Sequence, residues 1–561
     1  MIVAALGAAG LGLWRREYHL IIDGAILILI FSISGALEGY AMQRTERSIR
    51  SLMSLTSDTA RVLVNGLEQV REIAQIQIGD LVRVLPGELV PTDGVIIEGQ
   101  TTLNEAPISG ESMPVEKSIG DEVFAGTING NGTLKLKIHQ PPESSLIGRV
   151  IRLVEQAQTE APPSQQFLTR FERGYARVIV LAGVLLAVLP PILFGWTWEN
   201  TIYRALIFLV VASPCALMAS IMPALLSGIA NGARQGILFK NGAQLEIMGR
   251  VRAIAFDKTG TLTTGKPQVV KVVSATGSEE RLLQVAAALE SASEHPIGES
   301  IVQAAKERHL QWSEAVKVRA FTSQGIVGEV ERQTAVAGKW AFVKAQVEDW
   351  SNTLIELAQF LEQEGKTVVW VAHAGQALGI IAVADVVRLD ASLAISRLKR
   401  LGIEEIVLIT GDNDRTARNI AQQVGIDRVY SELLPEDKVK IIRHLQRRYQ
   451  TVAMIGDGIN DAPALAQASV GIAMGLAGSD VALETADVVL MADRLEKLAV
   501  AIRLGRRSQI IIKQNIVFAL SFIFLLLIAN FTRGITLPLG VIGHEGSTVL
   551  VTLSGLRLLR N

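Results

Sequence analysis

The sequence predicts a multidomain membrane protein: an α-helical transmembrane bundle, a soluble α/β domain interrupted by an α+β insert, and a separate all-β domain. Three observations predict it. Hydrophobic residues make up 49% of the 561 residues and are concentrated in a few long apolar runs, as spanning helices require. Three strand-like runs, 251–256, 405–409 and 451–455, each lead into an acidic, glycine-containing loop. Strands of an open parallel sheet present such loops at their carboxyl edge, where ligands are handled. From about Ser51 to Gln165, short β-rich pieces alternate with Gly and Pro turns, the pattern of a small all-β domain.

Composition narrows the function classes. The chain has 54 basic and 55 acidic residues, a formal charge of −1, so no charge imbalance points to nucleic acid. Cys215 is the single cysteine, which rules out an intrachain disulfide framework. The start lacks the basic segment and cleavage site of a secretory signal.

The apolar runs follow in order. Met1 to Trp14 is apolar but shorter than the roughly 20 residues of a span, and reads as the tail of a membrane helix or an interfacial segment. Leu20 to Met42 is long enough to cross. It carries Asp23 near one end and Glu38 near the other. Asp23 reads as snorkelling to the interface, and Glu38 either does the same or receives an incoming ion. Arg44, Arg47 and Arg50 place the following end in the cytoplasm, with Arg15 and Arg16 weakly opposing. Tyr175 to Phe194 is the third crossing, followed by Trp196 and Trp198 as an aromatic belt. Ile202 to about Ile229 returns and contains Ser213-Pro214-Cys215. Pro214 frees a carbonyl that the bilayer cannot satisfy. Two readings stand: a cation site of bared backbone oxygen beside a thiol, or a plain kink beside a buried Cys. Ile510 to Phe531 and Ile535 to Leu556 are the fifth and sixth crossings. The sixth holds His544-Glu545-Gly546-Ser547-Thr548, where adjacent His and Glu are costly unless paired or ligating. Arg557 and Arg560 mark a cytoplasmic carboxyl terminus, and six crossings leave every large domain on that side.

The soluble loops carry a distinct chemistry. The run from Val251 leads into Asp257-Lys258-Thr259-Gly260-Thr261. A carboxylate there can attack a phosphoryl group and hold it as an aspartyl phosphate. Such transfer depends on positioning and charge neutralisation. Mg2+, which takes hard oxygen ligands, would bridge the phosphate to Asp257 and Asp457, with the Thr259 carbonyl as a further ligand. Lys438 would neutralise phosphate charge, and Thr410 would hydrogen-bond a phosphate oxygen.

With Thr410-Gly411-Asp412, Pro435 with Lys438, and the loop from Gly456 to Asp461, these residues resemble the phosphorylation domain of P-type ATPases. The resemblance implies a haloacid-dehalogenase-like α/β fold, with Asp461 among its catalytic groups. It identifies the β-rich domain as the family's actuator, with Ser109-Gly110-Glu111 in place of Thr-Gly-Glu, and implies that Glu111 positions the hydrolytic water. The insert resembles the α+β nucleotide-binding domain. Glu294-His295-Pro296 matches the His-Pro motif of the heavy-metal (type IB) branch, whose His and Glu help hold the adenine of ATP. Gly325, Gly328 and Gly338 belong to the same expected nucleotide site, although Ser323 and Lys339 depart from the family pattern. The implied order is transmembrane helices one (partial) and two in 1–50, actuator 51–165, helices three and four in 166–230, phosphorylation domain 231–266 with 385–493, nucleotide-binding domain 267–384, and helices five and six in 494–561.

Ser213-Pro214-Cys215 with the His-Glu-Gly-Ser-Thr motif resembles the cobalt-transporting subgroup, also associated with zinc and iron. One thiolate with an imidazole and a carboxylate suits divalent Co2+, Zn2+, Ni2+ or Fe2+ better than Cu(I). Cys215, His544 and Glu545 are the expected ligands, with Ser213 and Thr548 beside them. The expected protein is therefore a monomeric, multi-pass pump in a lipid bilayer, exporting cobalt first and zinc next at the expense of ATP. Two alternatives are a non-transporting metal sensor and a membrane-anchored phosphatase of the same fold. Pumps of this branch generally have two helices before the six counted here, and this sequence begins inside the first of the six.

Overall fold

The computed structural model describes residues 18–53, 59–64, 67–105, 114–141, 145, 163–293, 295–321, 324–347, 350–457, 461–475, 485–532 and 534–560. They form two compact units, one of residues 1–251, 487–492 and 497–561 and one of residues 252–486 and 493–496.

The first unit contains an antiparallel β domain and long helices. A six-stranded sheet runs in the order 67–72, 59–64, 81–84, 134–138, 94–98, 122–123, and a three-stranded sheet joins 115–117, 101–104 and 128–129. Alternate residues point inward, so Val82, Val84, Leu134, Leu136 and Ile138 make a shared core.

The long helices are Tyr18–Met53, Pro163–Phe194, Trp198–Val211 continuing to Met222–Arg234, Lys497–Thr532 and Leu537–Gly555. Among the described residues, three stretches are long and apolar enough to cross a membrane by length and composition, Gly174–Phe194, Trp198–Arg234 and Lys497–Thr532, with a shorter apolar stretch at Ala25–Tyr40. Leu181, Leu185, Phe524 and Leu525 face outward, as lipid-facing side chains do. Inward, Leu27, Ile207, Val211, Leu526 and Val541 pack together. The Lys497 helix begins well before the apolar run that announced it. Its first turns are amphipathic, burying Leu498, Ala501, Ile502 and Leu504 while Arg503 and Arg507 stay exposed, so the backbone ladder continues past the point where hydropathy falls.

Where the sequence announced one kink, the returning span is broken twice. Helix geometry stops at Ala212, resumes for Cys215–Met218, and stops again before Met222–Arg234. Pro214 accounts for the first break. Pro223, in the first turn of the last segment, accounts for the second.

The second unit holds a parallel sheet in the order 470–474, 452–456, 253–257, 405–409, 428–430. Strand 253–257 is central, in parallel register with both neighbours. All five of its residues are buried. The insert is a six-stranded antiparallel sheet, ordered 263–274, 376–387, 367–373, 333–338, 325–330, 316–321. Glu279–Glu290 and Pro296–Glu307 cover one face, while Trp340–Lys344 and Asn352–Gln363 cover the other. The strands that leave and re-enter the parallel domain pair with each other from Thr263↔Val387 to Ser274↔Gly379.

Candidate functional site

Asp257 ends the central strand with its side chain almost wholly buried. One carboxylate oxygen, Oδ2, accepts the Thr259 backbone N–H at 3.0 Å. The other, Oδ1, receives the Lys438 ammonium at 2.6 Å. That ammonium also donates to Asp461 Oδ1 at 2.6 Å. Lys438 comes from the first turn of the Pro435–Tyr449 helix and is itself buried.

Asp457 completes the cluster. Among the described residues, Asp257, Asp457 and Asp461 are the one group of three His, Cys, Asp or Glu side chains whose ligand atoms lie within 4.8 Å of one another. Gly260 makes room for it. Its φ is +67°, and a Cβ there would fall 1.5 Å from Asp457 Oδ2, so only glycine fits both the turn and the carboxylate.

The charges are unbalanced, with three carboxylates around one ammonium. Burial, then the Asp461 charge, raises the pKa of Asp257 to about 6 in spite of Lys438. Burial, then Asp257 and Asp461, raises Asp457 to about 7. For Lys438, burial acts downward, and the two carboxylates reverse it to a net upward shift. A cluster short of positive charge and made of hard oxygens fits Mg2+. Asp257 and Asp457 are the residues that would hold it, with the Thr259 carbonyl. When bound, the ion supplies charge neutralisation for a transferring phosphoryl group.

Two neighbouring loops shape this edge. Lys258 pairs with Asp412, and Asp412 N–H donates to the buried Thr410 hydroxyl at 3.2 Å. Sequence reasoning missed Arg388 as a site group. Its guanidinium donates to the carbonyls of Gly260 at 2.9 Å and Thr261 at 3.0 Å. Asp385, on the same returning strand, accepts from Gly265 N–H at 2.9 Å and Thr264 hydroxyl at 3.3 Å, and also from the Thr263 hydroxyl. The only sequence signal was the Asp385-Val386-Val387-Arg388 run where the insert rejoins the α/β domain.

Residues 251–469 match the haloacid dehalogenase-like hydrolase family, and residues 54–155 match the P-type ATPase actuator domain. The chain is 46% identical, over all of its length and 86% of the relative, to a zinc-transporting ATPase of Bacillus subtilis (strain 168). It is 42% identical, again over its whole length and 77% of the relative, to a probable cadmium-transporting ATPase of Staphylococcus aureus (strain MRSA252). The chain belongs to the P-type ATPases. A crystal structure of a zinc-transporting PIB-type ATPase in the E2.Pi state superposes with a TM-score of 0.68 at 38% identity, covering 99% of this chain and 90% of that one. This P-type ATPase therefore falls in the heavy-metal, type IB branch and is a metal-transporting ATPase.

In the insert of this P-type ATPase, His295 caps the Pro296–Glu307 helix, its Nδ1 accepting from Ile297 N–H at 3.2 Å. Nε2 has no hydrogen bond among the described residues. Gly325 and Gly338 lie opposite each other on paired strands, and a Cβ on Gly325 would come within 2.8 Å of Gly338 Cα. Gly328 lies on the same strand as Gly325. It is buried against Leu289 and Val318 in the lobe's core, because alternate residues of its strand point inward. Glu290, not singled out from sequence, is buried. Burial raises its pKa, and a hydrogen bond with Ser293 partly offsets this. Glu111 and Glu294 lie outside the described residues.

In the helical bundle, His544, Glu545 and Thr548 are all buried on the Leu537–Gly555 helix. His544 Nε2 lies 3.9 Å from Glu545 Oε1. Both His544 ring nitrogens, Glu545 Oε1 and Ser34 Oγ have no hydrogen-bond partner among the described residues. The Thr548 hydroxyl donates to the His544 carbonyl at 3.2 Å, which leaves its lone pairs open. Cys215 is exposed, with Sγ 3.0 Å from Ser213 Oγ. Cys215 does not join His544 and Glu545 in a group with ligand atoms within 4.8 Å. Of the expected ligands, Ser213 and Cys215 flank the break at Pro214, and His544, Glu545 and Thr548 lie on Leu537–Gly555.

Proposed function

We propose that this P-type ATPase forms an aspartyl phosphate on Asp257 and uses it to export a divalent first-row transition metal across the cell membrane. An Asp257 oxygen attacks the γ-phosphorus of ATP, the bond to the bridging oxygen breaks, and ADP leaves. Lys438 holds the attacking carboxylate and neutralises incoming phosphate charge. Thr410 hydrogen-bonds a phosphate oxygen, and Asp461 keeps Lys438 in place. His295 and Glu294 hold the adenine, with Gly325 and Gly338 letting the backbone approach. Glu111 then positions the water that hydrolyses the phosphoenzyme. The large domains and the carboxyl terminus are cytoplasmic, as Arg557 and Arg560 require. The observation that carries this reading is the gathering of Asp257, Asp457 and Asp461 at the carboxyl edge of a parallel sheet, with Lys438 bridging Asp257 and Asp461.

The cargo would bind Cys215 and Ser213 on one helix and His544, Glu545 and Thr548 on another. Orphaned imidazole and carboxylate atoms inside an apolar bundle support a cation there. The relatives' names point to zinc and cadmium, whereas the Ser-Pro-Cys and His-Glu-Gly-Ser-Thr motifs favour cobalt. A mixed thiol, imidazole and carboxylate set suits both Zn2+ and Co2+ and is less suited to the softer cadmium. ATP hydrolysis by the purified protein across a divalent metal panel tests this, with Cys215→Ala and His544→Ala as controls. Zn2+ or Co2+ should stimulate the wild type and neither variant. Stimulation by Cu(I) alone, or full stimulation of both variants, would refute the assignment.

A further inference from the structure

The Ser-Pro-Cys segment is a stretch of backbone without its own helix. Ala212 has φ −79° and ψ 5°, and Pro214 has φ −81° and ψ 12°. Carbonyls in such a break need partners from elsewhere, because hydrocarbon offers none. One partner comes from a different helix. The Tyr175 hydroxyl, on Pro163–Phe194, donates to the Ala212 carbonyl at 2.9 Å. Ala212 is fully buried and Tyr175 is half-buried. The next residue is Ser213, whose Oγ lies 3.0 Å from Cys215 Sγ.

We propose that Tyr175 is a positioning residue for the transported cation. Its hydroxyl pins the unwound turn from Ala212 to Pro214, and that turn sets where Ser213 and Cys215 point. The inference rests on the reading of Cys215 as a cargo ligand. The geometry separates this contact from an ordinary tie between helices. A tie placed within a regular turn would compete with an existing ladder bond, whereas the Ala212 carbonyl sits where the ladder has stopped. The hydroxyl proton is directed to that carbonyl, so Tyr175 acts on the turn through its backbone. Without it, the break is free to rewind or swing, and the thiol spends less time where a cation can meet it. The cost falls on cation binding, because the turn carries Ser213 and leads directly into Cys215.

Tyr175→Phe in the full-length purified protein tests the inference, with Co2+ as the probe. Thiolate-bound Co2+ has a charge-transfer band that reports the geometry at sulfur. Tyr175→Phe should raise the Co2+ concentration for half-maximal binding about 5- to 30-fold, the size expected when a buried carbonyl loses its donor. It should also shift or weaken the band, while the maximal ATPase rate and the KM for ATP stay near wild type. Cys215→Ala should abolish the band. If Tyr175→Phe shows the wild-type Co2+ titration and band while Cys215→Ala loses the band, the inference falls and the Cys215 reading survives. A lower melting temperature with unchanged Co2+ binding equally overturns it. If Cys215→Ala keeps the band, or the wild type never shows one, the Cys215 reading falls and the inference with it.

Discussion

Lys438 places its ammonium nitrogen 2.6 Å from Asp257 Oδ1. The same nitrogen lies 2.6 Å from Asp461 Oδ1, so one cation from a helix start holds two carboxylates, one at a strand end and one at the start of the Ala462–Gln467 helix. Both carboxylates and the ammonium are buried. In such a triad, removing the centre leaves like charges facing each other with little water to screen them.

Lys438→Met should therefore be costly in two ways. Stability of the phosphorylation domain should fall by about 3–5 kcal/mol, read as an earlier transition in a denaturant melt. Phosphoenzyme formed from γ-labelled ATP should fall by at least about a hundredfold, as when a preorganised charge is lost. A wild-type phosphoenzyme level in this variant would remove Lys438 from the mechanism.

Gly260→Ala separates geometry from stability. Its methyl would collide with the Asp457 carboxylate and force that side chain away from Asp257. A displacement of about 1 Å at a reacting centre can cost about a hundredfold in rate. Mg2+-dependent phosphorylation should drop on that scale. Added Mg2+ should not restore it, because the carboxylate itself has moved.

The raised carboxyls predict a pH dependence. With Asp257 near 6 and Asp457 near 7 in the metal-free fold, the folded state holds protons that the unfolded chain releases near pH 4. Their contribution to metal-free stability is present below that pH and is lost as pH rises through about 7. Mg2+ must displace those protons, so its apparent affinity should climb between pH 6 and 7 and level off above about 8. Isothermal titration across this range measures it. Asp457→Asn should flatten the upper part of the curve.

Glu290→Gln should stabilise the insert lobe. Burial raises the Glu290 pKa, so the ionised form is penalised in the fold where a neutral amide is not. Stability is lost as pH rises from the unfolded value through the folded one. The variant should melt later than wild type at pH 7, with the gap closing toward pH 4. An unchanged or lower melting temperature at pH 7 would show that the carboxylate is compensated by a partner.

Much of the catalytic edge was legible because parallel sheets impose a rule on loops. Once 253–257, 405–409 and 452–456 are neighbours, their following loops must meet, and Asp257 meets Asp457 and Asp461. Lys438 was a weak signal alone and became specific only through those loops. Arg388 was hidden for a different reason. Its bonds go to backbone carbonyls of Gly260 and Thr261, and carbonyls carry no residue identity for a sequence to reveal. The second helix break was masked because Pro223 sits inside a run that hydropathy reads as continuous. Cys215 and His544 belong to separate helices, and how near they come depends on helix packing, which residue types do not encode.

The order of strands also has a consequence for biosynthesis. The central strand 253–257 is completed on both sides only by 405–409 and 452–456, which leave the ribosome much later. The insert between them pairs its first and last strands with each other and can close its own sheet first. At typical elongation rates the interval is on the order of ten seconds or more. During that time the 253–257 strand, apolar and unpaired at both edges, is a template for mispairing. The nascent chain thus carries the segment that ends in Asp257 as an apolar strand awaiting both partners, a window in which shielding from other chains favours correct pairing.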